Sequence, residues 1–156
     1  MIENIKQELS APVIGRCIPV SQADNADLRS KTLGDGVAIY PTNGAVHAPC
    51  HGRVSEISPT NNVIKITSED GLELILQMGI ATEELGGQGY RILVHTGNRI
   101  RRGQKIATMN IDIFESEGFD ITVALLISNL EQLSSIKAVR GDVSSIKDIV
   151  LKYSKA

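Results

Sequence analysis

The 156-residue chain has no tryptophan, three tyrosines and two phenylalanines. It therefore offers no evident aromatic platform on which bases or sugars could stack. It has no excess of positive charge: a formal net charge of −2 and a pI near 5.9 argue against nucleic acid as a partner. It has no unbroken apolar run long enough to span a bilayer, so no integral membrane segment is expected. The N-terminal text MIENIKQELS lacks the apolar core of a secretory signal, which makes the cytoplasm the default compartment. Cysteine is scarce too. Cys17 and Cys50 lie far apart, and in a cytosolic chain such thiols read as small core hydrophobes, with a disulfide or redox pair as the alternative. No Gly-rich phosphate loop, G-x-S-x-G elbow or spaced carboxylate pair is found. No linker or low-complexity tract divides the sequence, so one domain over 1–156 is expected. Residues 1–9 read as a short N-terminal extension with Ile2, Ile5 and Leu9 at helical spacing.

What the chain does have is β text. Ser58 to Ile80 reads as two strands and a tight turn. Val63, Ile64 and Ile66 supply β-branched residues, Ser68-Glu69-Asp70-Gly71 the turn, and Leu72, Leu74 and Leu76 the alternation. Folded back, this hairpin brings Asn62 and Gln77 roughly opposite one another. Further strands are expected over Asp35 to Ile39, Tyr90 to Val94, Ile121 to Ile127 and Asp142 to Tyr153, with HTGNRIRRGQKIATMN as a hairpin. Asp112 is expected to cap a short helix ended by Gly118, and Asn129 a second over Leu130 to Leu133, with Gln132 in the capping-box position. Cys50 falls at the head of another strand.

Two stretches repeat. Ala11-Pro12-Val13-Ile14-Gly15-Arg16 returns 37 residues later as Ala48-Pro49-Cys50-His51-Gly52-Arg53, and Asp35-Gly36-Val37-Ala38-Ile39 returns 35 residues later as Asp70-Gly71-Leu72-Glu73-Leu74. A duplicated β unit closes into a sandwich or flattened barrel that buries both apolar faces. The expected class is all-β, with a few short helices.

Individual polar clusters add little. His47, Cys50 and His51 match no zinc spacing, and no metal site is expected. Arg99, Arg101, Arg102 and Lys105 form a basic tip, a solvated face that could meet an acidic partner.

Taken together, Ala11-Pro12-x-x-Gly15, Lys31-x-x-Gly34-Asp35-Gly36-Val37-Ala38-Ile39, Ala48-Pro49-x-x-Gly52, Glu69-Asp70-Gly71-Leu72-Glu73-Leu74, Gly79-Ile80, Thr82-x-Glu84-Leu85 and Ile127-Ser128-Asn129 resemble enzyme IIA of the glucose type, from the bacterial phosphoenolpyruvate-dependent sugar phosphotransferase system. The resemblance runs from about Leu9 to Lys155. It implies an antiparallel β-sandwich, a duplicated barrel-sandwich hybrid. It also implies two facing histidines, one before the first hairpin strand and one near the end of the second. The second takes a phosphoryl group from the histidine-containing phosphocarrier protein and hands it to the sugar permease, and the first assists.

At those two places this sequence has Asn62 and Gln77, while the supporting Thr60 is kept. An amide nitrogen's lone pair is delocalised, so neither side chain can act as the nucleophile, though both can imitate a ring's hydrogen bonding. The partner-binding face implied by the family carries Leu28, Leu33 and Ile75 as apolar residues. Asp27, Ser58, Lys65 and Glu83 stand where apolar residues are usual, and Ala81 and Asn25 where aspartates are. Unpaired charges buried in an apolar interface are costly, so docking should be altered. The resulting expectation is a cofactor-free binding or regulatory module without transfer activity, held in something like the unphosphorylated state. Its possible partners are the phosphocarrier protein, a sugar permease or a metabolic enzyme. Two alternatives stand beside it. One is an active carrier using His47, His51 or His95. The other is a degenerate zinc peptidase-like hybrid, against which stands the lack of an H-x-H motif.

Overall fold

The computed structural model describes residues 7–156. In chain order it contains strands β1 (Glu8–Ser10), β2 (Gly15–Pro19) and β3 (Asp35–Pro41), then β4 (Ala45–His47), β5 (Gly52–Ile57), β6 (Val63–Ser68) and β7 (Glu73–Ile80). The second half adds β8 (Tyr90–Ile92), β9 (Arg99–Ile100), β10 (Lys105–Met109), β11 (Asp120–Ile127), β12 (Leu133–Ala138), β13 (Gly141–Val143) and β14 (Ile149–Lys155). Two short helices, α1 (Ala26–Arg29) and α2 (Ile111–Ser116), interrupt them. Every pairing is antiparallel, in an eight-stranded sheet of order β13-β2-β3-β11-β7-β6-β5-β9 and two three-stranded sheets, β1-β14-β12 and β4-β10-β8. The protein is an antiparallel β-sandwich. The expected helical turns at 1–6 fall outside the described residues, and Leu9 belongs to strand β1, not to a helix.

The strand order is palindromic. From the central pair β11–β7 outward, β3 answers β6, β2 answers β5 and β13 answers β9, while the small sheets answer one another strand for strand. Hydrogen bonds between the two A-P-x-x-G-R stretches repeat the symmetry. Ser10 N–H donates to Pro49 O at 3.0 Å and His47 N–H to Pro12 O at 2.7 Å, with donors and acceptors each 37 residues apart. Likewise Ala11 N–H reaches Asp148 O at 2.9 Å and Ala48 N–H reaches Gln104 O at 2.8 Å. One copy is contiguous, β4 to β10. The other is split around it, β1–β3 with β11–β14.

The 37-residue repeat is therefore structural. The 35-residue match is not: β3 is the counterpart of β6, so Asp35-Gly36 opens a strand, whereas Asp70-Gly71 turns the β6–β7 hairpin with Gly71 at φ +91°.

The main core is filled by inward residues of both copies, among them Leu74, Leu76 and Met78 of β7 and Ile121, Val123, Leu125 and Ile127 of β11. From Val123 to Ile127 strand β11 reads as an unbroken apolar run because that part is buried on both faces. Its Ala124 and Leu126 point outward and pack with Val20, Ala23 and Leu28 from the β2–β3 connection. That connection lies over the outer face of the split copy.

Several local expectations are corrected by long-range bonding. Asn110, not Asp112, caps α2, its Oδ1 accepting from Ile113 N–H at 3.2 Å. Asn129 makes no cap with its side chain. Its Oδ1 accepts from Glu73 N–H at 2.9 Å and its amide donates to Gly71 O at 3.0 Å, which fastens the hairpin turn. The text 95–110 is no hairpin, because β9 pairs with β5 and β10 with β4 and β8. Residues 142–153 form two strands joined by a turn in which Asp148 Oδ2 accepts from Ser144 N–H and Ser145 N–H. Cys50 sits in a bend before β5. Both cysteines are buried free thiols, and burial pushes each up to about 12, so they behave as core residues.

Candidate functional site at the open end of the central hairpin

Strand β7 alternates as its sequence demands. Leu74, Leu76 and Met78 face the core, so Ile75 and Gln77 face out. The register pairs Gln77 with Val63 and Ile64 with Leu76. Asn62 therefore lies one step further than the sequence suggests, opposite Met78, whose N–H donates to Asn62 O at 2.7 Å.

Asn62 is 2 % exposed and its amide is fully engaged. The loop from β5 to β6 folds back through Ser58 N–H to Val63 O at 2.9 Å, with Asn61 in the left-handed region at φ +63°. This brings two hydroxyls onto one acceptor: Ser58 Oγ at 3.1 Å and Thr60 Oγ1 at 2.8 Å both donate to Asn62 Oδ1. On the other side Asn62 Nδ2 donates to Glu83 Oε2. Gln77 is half-buried and donates only to Gly79 O, at 3.3 Å. The two amides share no hydrogen bond among the described residues.

The segment after β7 is clamped from beneath. Tyr90 donates its hydroxyl hydrogen to Met78 O and lies 2.8 Å from Thr82 Oγ1, and Thr82 is fully buried. Burial pushes the Tyr90 phenol up to about 12, which keeps it a neutral donor. Its ring packs on Phe114 with centroids 5.0 Å apart. Ala81 follows at φ +58°, in the left-handed region that a residue with a Cβ enters only with strain, and so the chain turns to carry Glu83 over Asn62. The sequence gives no signal for Tyr90's part, since a strand tyrosine looks alike whether its hydroxyl is wet or clamping a turn.

The other expected residues divide between cluster and face. Ser58, Thr60, Asn62 and Glu83 come together. Lys65 pairs in register with Ile75 on the outer face of the sheet, and its ammonium stands 4.0 Å from Glu56. Leu28 is 4 % exposed and packs in the outer cluster with Ile75, so it supports that face more than it presents one. Leu33 is half-exposed, and Asp27 and Ala81 are exposed. Asn25 caps α1, its Oδ1 accepting from Leu28 N–H at 3.0 Å. None of His47, His51 and His95 is on the central hairpin. His47 is on β4, His51 in the bend before β5, and His95 in the turn before β9. Among the described residues no three His, Cys, Asp or Glu side chains are grouped so as to hold a metal, and no helix is long and apolar enough to cross a membrane.

Residues 7–133 match the family model described as phosphoenolpyruvate-dependent sugar phosphotransferase system, EIIA 1. The chain is 28% identical over 153 residues to the glucose-specific EIIA component of Haemophilus influenzae, covering 98% of this chain and 92% of that protein. It is 36% identical over 143 residues to the glucose-specific EIICBA component of Staphylococcus saprophyticus, covering 89% of this chain but only 21% of that longer protein. The solved structure of glucose permease IIA from Mycoplasma capricolum superposes with a TM-score of 0.85 at 25% identity, covering 97% of this chain and 98% of that one.

Proposed function

Since the chain belongs to the EIIA 1 family of the phosphoenolpyruvate-dependent sugar phosphotransferase system, as a component of the glucose type, we propose that it is a protein-binding, regulatory member that carries no phosphoryl group. In this reading Asn62 and Gln77 occupy the two relay places. Phosphoryl transfer needs a nucleophile with an available lone pair held in line with the donor. A carboxamide nitrogen has none to give, because its pair is delocalised into the carbonyl.

The observation that supports this most is the closed bonding of Asn62. Its oxygen holds two hydroxyls and its nitrogen holds a carboxylate, so the side chain reproduces the acceptor and donor faces of an imidazole while lacking its nucleophilic nitrogen. The Glu83 carboxylate also places a negative charge where an incoming phosphoryl group would bring more. The cluster is built to hold the β5–β6 loop against the segment after β7. It therefore preserves the shape of a docking surface without its reaction.

The partners in this reading are proteins: a sugar permease component, the phosphocarrier protein or a metabolic enzyme. Asp27, Lys65 and Glu83 put charges around Ile75 and Leu33, so the complementary surface should carry matching charges and not be purely apolar.

Intact mass after incubation with phosphoenolpyruvate, enzyme I and the histidine-containing phosphocarrier protein tests the proposal, with a histidine-bearing relative in a parallel tube. The expected result is a gain of one phosphoryl group by the relative and none by this chain. A phosphorylated product mapped to His47, His51 or His95 overturns it and makes the chain an active carrier by another residue.

A further inference from the structure

The duplication lets one copy serve as the control for the other. Arg16 and Arg53 are the same position in the two A-P-x-x-G-R stretches. Across β2–β13, Arg16 stands directly opposite Asp142. Across β5–β9, Arg53 stands directly opposite Arg99. Opposite charges in such pairs stabilise a sheet and like charges destabilise it, so the contiguous copy sets like charges opposite one another where the split copy sets unlike ones, although Arg16 and Asp142 make no ion pair either.

Neither Arg53 nor Arg99 makes an ion pair with an acid among the described residues. The row continues inward through Thr67 to Glu73, but Glu73 Oε1 accepts from the Thr67 hydroxyl at 2.9 Å. Arg53 donates to Gly97 O at 2.9 Å, and among the described residues no ion pair includes Arg53, Arg99 or Arg101. From Leu85 to Ile111 the chain carries Arg91, Arg99, Arg101, Arg102 and Lys105 and not one Asp or Glu, within a chain of net charge −2.

Arg53, Arg99 and Arg101 border a hollow of about 830 Å³ that also takes in His51, Gln104 and a single acid, Glu69. Its lining is rich in donors. His51 Nδ1 accepts from Arg102 N–H at 3.2 Å, so the neutral ring carries its proton on Nε2. Gln104 Oε1 accepts from Arg101 N–H at 3.0 Å, which leaves its NH2 to donate. In the split copy the equivalent acceptor is the Asp148 carboxylate, which has no hydrogen to offer. Guanidinium forks match phosphate oxygens, and the volume suits a small molecule. The hollow lies at the turn end of β6, on the order of 20 Å along the strand from Asn62.

We propose that this hollow binds a small, free polyphosphate: a soluble molecule with two or more phosphoryl groups, held between Arg53, Arg99 and Arg101. The site is separate from the Asn62 cluster and does not depend on whether the chain carries phosphate there.

Thermal unfolding of the full chain with inorganic tripolyphosphate, against sodium chloride of equal ionic strength, tests it. The wild-type midpoint should rise with tripolyphosphate and saturate. Arg99→Asp, which installs the acid that the split copy already tolerates at Asp142, should bind roughly tenfold more weakly or worse. Arg101→Gln should also weaken binding, and Arg16→Gln in the other copy should bind as wild type does. No rise in the wild type, or an equal rise in Arg99→Asp and Arg101→Gln, overturns the site. Sedimentation with vesicles of phosphatidylglycerol and phosphatidylcholine in equal parts separates the sources. Vesicle binding that tripolyphosphate displaces and Arg99→Asp abolishes makes the ligand a lipid headgroup and overturns the free molecule, whereas vesicles left unbound support it.

Discussion

The split and contiguous copies share a strand plan and differ in what is attached to it. In the split copy the β2–β3 connection is long, and its Val20, Ala23 and Leu28 cover the outer face of the sheet. In the contiguous copy the β5–β6 connection is a five-residue loop held by Ser58, Thr60 and Asn62. The edge arginine faces Asp142 in one and Arg99 in the other. The apolar positions repeat because both copies must fill the same core, while the polar positions are free to diverge wherever water can solvate them. Departures from the symmetry are therefore the best guide to function in this chain, and the comparison can be pressed by exchanging or truncating equivalent residues.

The largest effects should be symmetric. Leu76 and Leu125 are register partners on the central strands and both are fully buried. Leu76→Ala and Leu125→Ala should each cost about 3 kcal/mol or more, as read from urea unfolding. A much smaller loss at one of them would mean that the copies do not share one core.

Next come the repeat glycines. A Cβ on Gly15 would lie 2.0 Å from Tyr40 O, and one on Gly52 would lie 2.3 Å from Thr67 O. Neither obstacle is a flexible side chain, so each Gly→Ala should cost about 2–3 kcal/mol. Gly15→Ala should be the worse, because only Gly15 is also at positive φ (+153°). The reverse order would show that backbone contact outweighs conformation here.

These glycines were legible in the sequence, as were the central hairpin, the buried strand around 121–127 and the 37-residue duplication. Each rests on local pattern: alternation, turn chemistry or a repeated motif. What was not legible depends on which distant segment comes alongside. Asp70-Gly71 resembles Asp35-Gly36 in text yet occupies a turn instead of a strand, since β6 and not β7 corresponds to β3. Asn129 looks like a helix cap, and is drawn away by unpaired groups of the hairpin turn 58 residues distant. Strands β9 and β10 are adjacent in sequence but join different sheets, which no hairpin signal can announce. In the candidate site Asn62, Thr60 and Ser58 were within reach of sequence reasoning because they are local to one loop. The closure of their network by Glu83, on a segment that Tyr90 clamps, was not, because it depends on how the chain turns after Gly79.

Smaller differences should separate the two amides of the candidate site. Asn62→Ala removes the acceptor shared by two hydroxyls and the donor to Glu83, for about 1–2 kcal/mol. Gln77→Ala leaves on β7 what β11 already has beside it, since Ala124 is the register partner of Gln77. It should stay within about 0.5 kcal/mol of wild type. Comparable losses from both would show that Gln77 shares in the network, and would weaken the view that Asn62 alone organises this end of the hairpin.

The smallest effect distinguishes His47 from its counterpart Ser10, the two donors of the reciprocal bonds between the copies. Ser10 is buried with its hydroxyl donating to Pro49 O at 3.2 Å, whereas His47 has Nδ1 buried without a partner. Burial holds the His47 imidazole below its ordinary 6.5; the Pro12 carbonyl pulls the other way, and Lys105 beside it in register acts with burial. The unfolded chain therefore takes up the proton more readily than the folded one. The resulting contribution to stability is complete above about pH 6.5 and is lost as the pH falls toward the lower folded value. His47→Ser, which copies Ser10, should lose less stability between pH 7 and pH 5 than the wild type does, with urea midpoints at the two pH values as the measurement. Parallel losses in the two proteins would show that the orphaned ring nitrogen finds a proton without cost, and that this position, unlike the edge arginines, is equivalent in both copies in its energetics as well as its backbone.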